Sequence, residues 1–241
     1  MKEKVKEILK DLDFLENPYL QSLHDGTLTL EDFVETQIQF FYAVDFFSRP
    51  MAMLAAKIPT ASMRLEIIRN VWEEHGEGNL EKAHTKTFLD FLNRLANVTF
   101  DDVYKRSLWP EVRIFNSAIT AVCTLDDYMT GIGAMGMIEY MFSDISSKIG
   151  KGILKRGWMD EKTILHYNTH EVLDIRHADD FFKIVEKAYA ENKEHQYYIE
   201  QGLWFGATLF YMLYQQLYTN RERRSLRDVS IPHSRAEGIP C

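Results

Sequence analysis

The chain of 241 residues is 46% hydrophobic and 13% aromatic, ample for a sizeable buried core. Its formal charge of -8 excludes an extended nucleic-acid surface, which needs clustered Lys and Arg. Two cysteines, Cys123 and Cys241, exclude a disulfide framework, and neither belongs to a CxxC pair.

Met1 to Glu7 alternates charges and has no apolar run of signal-peptide length. The most apolar stretch, 131–142, is too short to span a bilayer and contains Glu139. The expected setting is cytoplasmic, with no membrane and no nucleic-acid partner.

Apolar residues recur at three- and four-residue spacing almost throughout, and strand alternation is absent. The fold class is therefore all-α, a single-domain helical bundle. Helices are expected at about 2–14, 29–56, 60–75, 79–96, 109–124, 126–150, 160–190 and 192–221, the seventh broken near its middle. Thr29 ahead of Glu31 and Asp32 supplies a capping hydroxyl and first-turn acids to the second helix. Pro50 should kink that helix, because it removes a backbone donor and crowds the preceding turn. Gly76 and Gly78 mark the break between helices three and four. Gly131, Gly133 and Gly136 would let a neighbouring helix approach closely. Asp160 and Glu161 open the seventh helix as Glu31 and Asp32 open the second. The bundle takes residues 1–221, and 222–241 lose periodicity as a flexible tail. The basic cluster Arg221, Arg223, Arg224 and Arg227 reads as a solvated helix end.

Three groups of residues carry chemistry. His170, Asp174 and His177, spaced by four and three, lie within about 60° of one another around a helix axis. Two imidazoles and a carboxylate on one face suit non-heme iron, manganese or zinc better than calcium or magnesium. A His-Glu-x-x-His zinc helix is excluded, since Asp174 stands where the second His would be. Glu139 sits in an apolar helix with no basic residue within a turn, so its charge requires a metal ion, a buried arginine or a proton. The third group runs from Glu73 and Glu74 through His75, Glu77 and Glu81 to His84. A charged, solvated helix end accounts for most of these residues taken singly, and the two glycines prevent spacing alone from defining a shared face. Glu81 and His84, three apart, are able to pair. Together the groups supply Glu, His, Glu, His, Asp and His, an inventory suited to two metal ions in a bundle. Only one Glu-x-x-His pair is present, which disfavours a ferritin.

At these residues the chain resembles the heme-oxygenase-like diiron oxidases and oxygenases, within the superfamily of the TenA-type thiaminases and PqqC. The resemblance covers about residues 17–190. It rests on Gly26-Thr27-Leu28-Thr29 with Gln37 to Tyr42, on Glu73-Glu74-x-Gly76-x-Gly78 with His84, and on His170-x3-Asp174-x2-His177. It implies that Glu74, His84 and Glu139 hold mainly one iron and His170, Asp174 and His177 the other, with Glu139 bridging. It favours Glu74 over Glu81. Asp45 is the nearest counterpart of a further carboxylate that some relatives add.

The resemblance implies an O2-dependent non-heme diiron enzyme with two Fe ions, O2 as co-substrate and an external reductant, working through a peroxo-diiron(III) species. Its small substrate is expected to derive from an amino acid, with N-oxygenation, desaturation or C–C cleavage to an alkene or nitrile as the outcome. A fatty-acid decarboxylase and a non-enzymatic interaction protein on the same fold are the alternatives. A p-aminobenzoate-synthase-like protein is another, but the tyrosine and lysine that branch uses fall near Leu20 and Ile149. Phe41, Asp45 and Arg176 are the expected substrate contacts, with Arg49 a second candidate for a carboxylate. Aromatics of the second and eighth helices, Phe40 and Phe210 among them, suit an apolar pocket wall. Cys123 has no basic neighbour in sequence and reads as a buried thiol rather than a TenA-like nucleophile. A homodimer is the expected assembly.

Overall fold

The computed structural model describes residues 1–160 and 163–227, apart from the side chains of residues 165 and 168–173. Ten α-helices and no named strand occur among the described residues. The first, α1 (Lys2–Asp11), is amphipathic and buries Val5 and Ile8. An eight-residue helix, α2 (Pro18–Asp25), follows; the Asn17 side chain accepts from the Tyr19 amide, Pro18 occupies its first turn, and Gly26 ends it at φ 93°. Sequence periodicity missed α2, since two turns are too short to establish a period.

The long α3 (Leu30–Lys57) begins where Thr29 Oγ1 accepts from the Asp32 amide and continues without interruption through Pro50. Next, α4 (Ala61–Glu74) is capped by Thr60. Two short 3-10 turns, Gly76–Gly78 and Leu80–Lys82, then replace the expected start of a helix at 79. The chain here needs positive φ at Gly76, Glu77 and Gly78. Helix α5 (His84–Ala96) follows, then a one-turn α6 (Phe100–Tyr104) under a Thr99/Asp102 capping box. Helices α7 (Pro110–Thr124), α8 (Tyr128–Lys155), α9 (Leu165–Glu191) and α10 (Lys193–Thr219) complete the bundle. The expected break inside 160–190 is absent: α9 is one helix.

Helix α8 is the axis of the molecule, packed most extensively on α9 and α10. The glycines anticipated as close-approach positions serve that purpose. A Cβ at Gly133 would lie 2.6 Å from the Ile199 carbonyl oxygen on α10, and one at Gly136 would lie 2.8 Å from the Phe182 ring on α9. On α10, Gly202 and Gly206 face the α8 backbone in return.

The basic cluster is not a solvated helix end. Arg223 pairs with Glu111 at 3.0 Å, Arg221 with Asp32 at 3.5 Å, and Arg224 with Glu31 and Asp32. The Ser107 amide donates to Ser225 O at 3.1 Å and the Arg227 amide to Lys105 O at 2.9 Å. Residues 222–227, assigned to the tail from sequence, are thus strapped across α3 and α7 by partners distant in sequence. Residues 228–241 lie outside the described part of the chain.

Candidate metal centre

Four helices converge on one buried group of acids and imidazoles. Glu74 ends α4, His84 opens α5, Glu139 stands mid-way along α8, and Asp174 and His177 share a face of α9. Glu74 Oε1 lies 2.9 Å from His84 Nδ1. His177 Nδ1 lies 3.7 Å from Glu139 Oε2 and 3.8 Å from Asp174 Oδ1. Glu74, Glu139 and His177 offer ligand atoms that all fall within 4.8 Å of one another. The backbone of His170 belongs to α9, but its side chain lies outside the described residues.

Local structure brings Glu74, and not Glu81, to the buried group. The positive-φ turn at 76–78 reverses the chain after α4, so the end of α4 faces the start of α5. Glu81 falls on the outer 3-10 turn with its side chain 78% exposed, near Lys86 at 3.6 Å. Glu77 and His75 are also exposed; His75 Nδ1 is 2.7 Å from Val71 O.

Electrostatically the centre is held out of balance. Burial pushes the Glu139 carboxyl well up, as expected where desolvation penalises the anion. Burial alone would lower His177, but Glu139, Glu73 and Glu74 outweigh it and hold the ring on the cationic side. His84 shows the same contest, burial against Glu74, with a net rise. His177 Nδ1 and Glu139 Oε1 are buried without a hydrogen-bond partner among the described residues. Among the described residues no arginine pairs with Glu139, so of the three ways to accommodate its charge a metal ion and a proton remain, with the His177 imidazole as a counter-charge the sequence did not suggest. Oxygen and nitrogen donors at this spacing, two of them orphaned, fit a borderline transition metal.

Glu74, His84, Glu139 and Asp174 line a cavity of about 460 Å³, its open mouth included. Phe40, Phe47, Phe115, Phe142 and Phe210, with Ala43, Val44 and Ile138, make the remaining wall. Phe40, Phe47 and Phe210 are the expected pocket aromatics that reach it. Phe41, Asp45 and Arg176 are not among its lining residues. Phe41 is core; Asp45 pairs with Arg49 at 3.4 Å near the surface; Arg176 is 55% exposed and pairs with Glu73. Neither arginine is placed to receive a carboxylate in the cavity.

Two residues here were given no role from sequence. His166 is buried and lines the cavity. Its Nδ1 is 3.2 Å from Thr87 Oγ1, which itself donates to the His84 carbonyl at 3.1 Å. A hydroxyl has one proton and a carbonyl only accepts, so while Thr87 donates to His84 the His166 proton sits on Nδ1 and Nε2 is left as an acceptor. Phe88 meets this ring edge-on at 4.8 Å. The second is Glu73, whose Oε2 lies 2.7 Å from His177 Nε2. Adjacent acids at the end of α4 therefore reach different sides of the site.

Comparison with known proteins gives the family and the fold. A family described as iron-containing redox enzyme matches residues 34–211. A curated 4-aminobenzoate synthase of Nitrosomonas europaea is 26% identical over 209 residues, 81% of either chain. Among solved structures, a Cadd-like protein of unknown function from Nostoc punctiforme superposes with a TM-score of 0.74 at 16% identity, covering 91% of this chain and 97% of that one. A domain with a heme oxygenase-like fold from Shewanella denitrificans gives 0.73 at 12% identity, covering 92% and 91%. A TenA homologue from Pseudomonas syringae gives 0.71 at 16% identity, covering 89% and 92%. The fold is heme-oxygenase-like. No described helix is long and apolar enough to cross a membrane.

Proposed function

Because the chain belongs to the iron-containing redox enzymes, we propose that it is an O2-dependent non-heme diiron oxidase or oxygenase acting on a small substrate bound in the aromatic cavity. The observation that carries this reading is a pair of buried atoms without a hydrogen-bond partner among the described residues, His177 Nδ1 and Glu139 Oε1, beside Glu74, which with Glu139 lines that cavity. Glu74, His84, Glu139, Asp174 and His177, together with His170, would hold the metal ions. Bound there, two irons would supply O2 activation, with electrons from an external reductant.

The chain's own residues set the conditions for that chemistry. Three carboxylates offset cationic charge that apolar surroundings would otherwise penalise. The phenylalanine wall excludes water and gives a substrate an apolar surface. His166 Nε2 gives a substrate N–H or O–H an acceptor. An amino-acid-derived substrate is the class proposed. With no Lys or Arg among the described residues of the lining, its carboxylate would be masked, lost or turned towards the cavity mouth.

The Nitrosomonas relative favours a second reading, 4-aminobenzoate synthesis. Against it, the positions near which that branch carries its tyrosine and lysine are Leu20 and Ile149, both in the aliphatic core.

Anaerobic loading with Fe(II), desalting and metal analysis test the reading. About two irons per chain are expected, with a marked loss in His177→Ala. Iron-free protein after loading would overturn it. Stopped-flow absorbance on mixing the loaded protein with O2 and an amino-acid and fatty-acid panel then tests the substrate class. An accelerated O2 reaction only with fatty acids would replace the amino-acid assignment.

A further inference from the structure

Glu73 and Glu74 are neighbours in sequence but approach His177 differently. Glu74 joins Glu139 and His177 in the buried ligand group, and His177 Nδ1 is the nitrogen facing Glu139 and Asp174. Glu73 Oε2 sits 2.7 Å from Nε2 on the ring's far edge. The His177 side chain is wholly buried and that of Glu73 is 11% exposed. Arg176 is more than half exposed and closes on the same Glu73 oxygen. A chain of contacts thus runs inward from the surface: Arg176, Glu73, His177, and then the buried carboxylates.

We propose that Glu73 is a positioning residue for the metal centre, fixing His177 so that Nδ1 is the ligating nitrogen, with Arg176 holding Glu73 in place. This rests on His177 being a metal ligand. A neutral imidazole that ligates through Nδ1 carries its proton on Nε2, and that proton needs an acceptor in a buried site. Glu73 is that acceptor. Its negative charge also raises the ring's basicity, as carboxylate partners of metal-bound histidines do. The Glu73–Arg176 contact bridges α4 and α9, so one ion pair sets both the ring and the spacing of the helices that carry Glu74 and Asp174.

A purely structural role makes a different prediction. If Glu73 only fastens α4 to α9 through Arg176, Glu73→Ala and Arg176→Ala would lower thermal stability alike and leave metal affinity unchanged. A positioning role separates the two variants.

The experiment is titration of the metal-free full chain with Co(II), read by its visible absorption, alongside melting curves. Glu73→Ala should weaken binding about 10- to 100-fold. Glu73→Gln, which keeps an oxygen acceptor but not the charge, should fall between it and the wild type. Arg176→Ala should have the smallest effect, because the contact between Glu73 and His177 remains. His177→Ala serves as the reference for loss of the ligand itself. Equal Co(II) affinity in wild type, Glu73→Ala and Glu73→Gln, with His177→Ala weakened, would overturn the proposal while leaving the metal centre standing. No Co(II) binding by the wild type, or binding indifferent to His177→Ala, would overturn both. Should Glu73→Ala fail to fold, Glu73→Gln alone decides by the same criterion.

Discussion

The two sides of α8 are built on opposite terms. Towards α10 there is almost nothing between the helices: a Cβ at Gly202 would stand 2.1 Å from the Thr130 carbonyl oxygen, and one at Gly206 would stand 2.4 Å from that of Ala134. Towards the cavity the same helix presents Glu139, and one polar atom each of Glu139 and His177 has no hydrogen bond among the described residues. Close backbone packing on one side holds α8 rigid enough to carry a buried, costly carboxylate on the other. Stability and site chemistry are thereby separated across one helix.

The contrast is broken most severely at Gly202. Alanine is the better helix former by about 1 kcal/mol, so propensity alone makes Gly202→Ala stabilising. The added methyl instead meets backbone, which has no rotamer to yield. Overpacking of this kind should dominate, and urea unfolding should show a net loss of about 2 kcal/mol. A variant as stable as the wild type would mean that the α8–α10 contact has room to spare.

Burial in the core decides the state of Cys123 on α7. Burial pushes its thiol up to about 12, against 9.0 for an unperturbed group. Between those values the unfolded chain releases the proton and the folded chain keeps it, so the contribution of Cys123 to stability falls as pH rises. Relative to Cys123→Ala, the wild type should lose about 1.4 kcal/mol per pH unit above pH 9 and nothing below it. Urea unfolding of both proteins at pH 8, 9 and 10 measures this. A pH-independent difference would place the thiol in contact with solvent and reopen its candidacy as a nucleophile.

The sequence announces the close-packed side and half of the site, for definable reasons. Helical periodicity runs through long elements, so α3, α7, α8 and α10 could be placed, whereas α2 and α6 are too short to show a period. Glu139 stood out because a carboxylate with no basic neighbour in an apolar helix is anomalous within its own segment. Asp174 and His177 shared a face by spacing alone. Glu74 and Glu81 could not be separated by spacing, since the turn between them depends on positive φ at three successive residues. Glu73 was hidden for a simpler reason: consecutive residues on a helix project about 100° apart, and whether the outer one is solvated depends on what α9 brings to it. Arg223 and Arg224 read as a solvated end because their partners, Glu111, Glu31 and Asp32, lie more than a hundred residues away.

Asn70 gives the smallest and most discriminating test of the two-sided arrangement. It lies one turn before Glu74 on α4, is wholly buried, and neither amide atom finds a partner among the described residues. On a face built for packing, such a residue would be a defect of about 1 kcal/mol or more. Its spacing of three and four from Glu73 and Glu74 puts it over the face that serves the metal centre. Leucine is close to it in shape and carries no polar atom, so Asn70→Leu should raise the stability of the metal-free protein by about 1 kcal/mol. It should also weaken Co(II) binding, by less than Glu73→Ala does. If stability rises and affinity holds, Asn70 belongs with the packing, and the boundary between the two regions lies closer to Glu73. If stability falls, the amide is satisfied in solution, and the cost of the site is confined to Glu139 and His177.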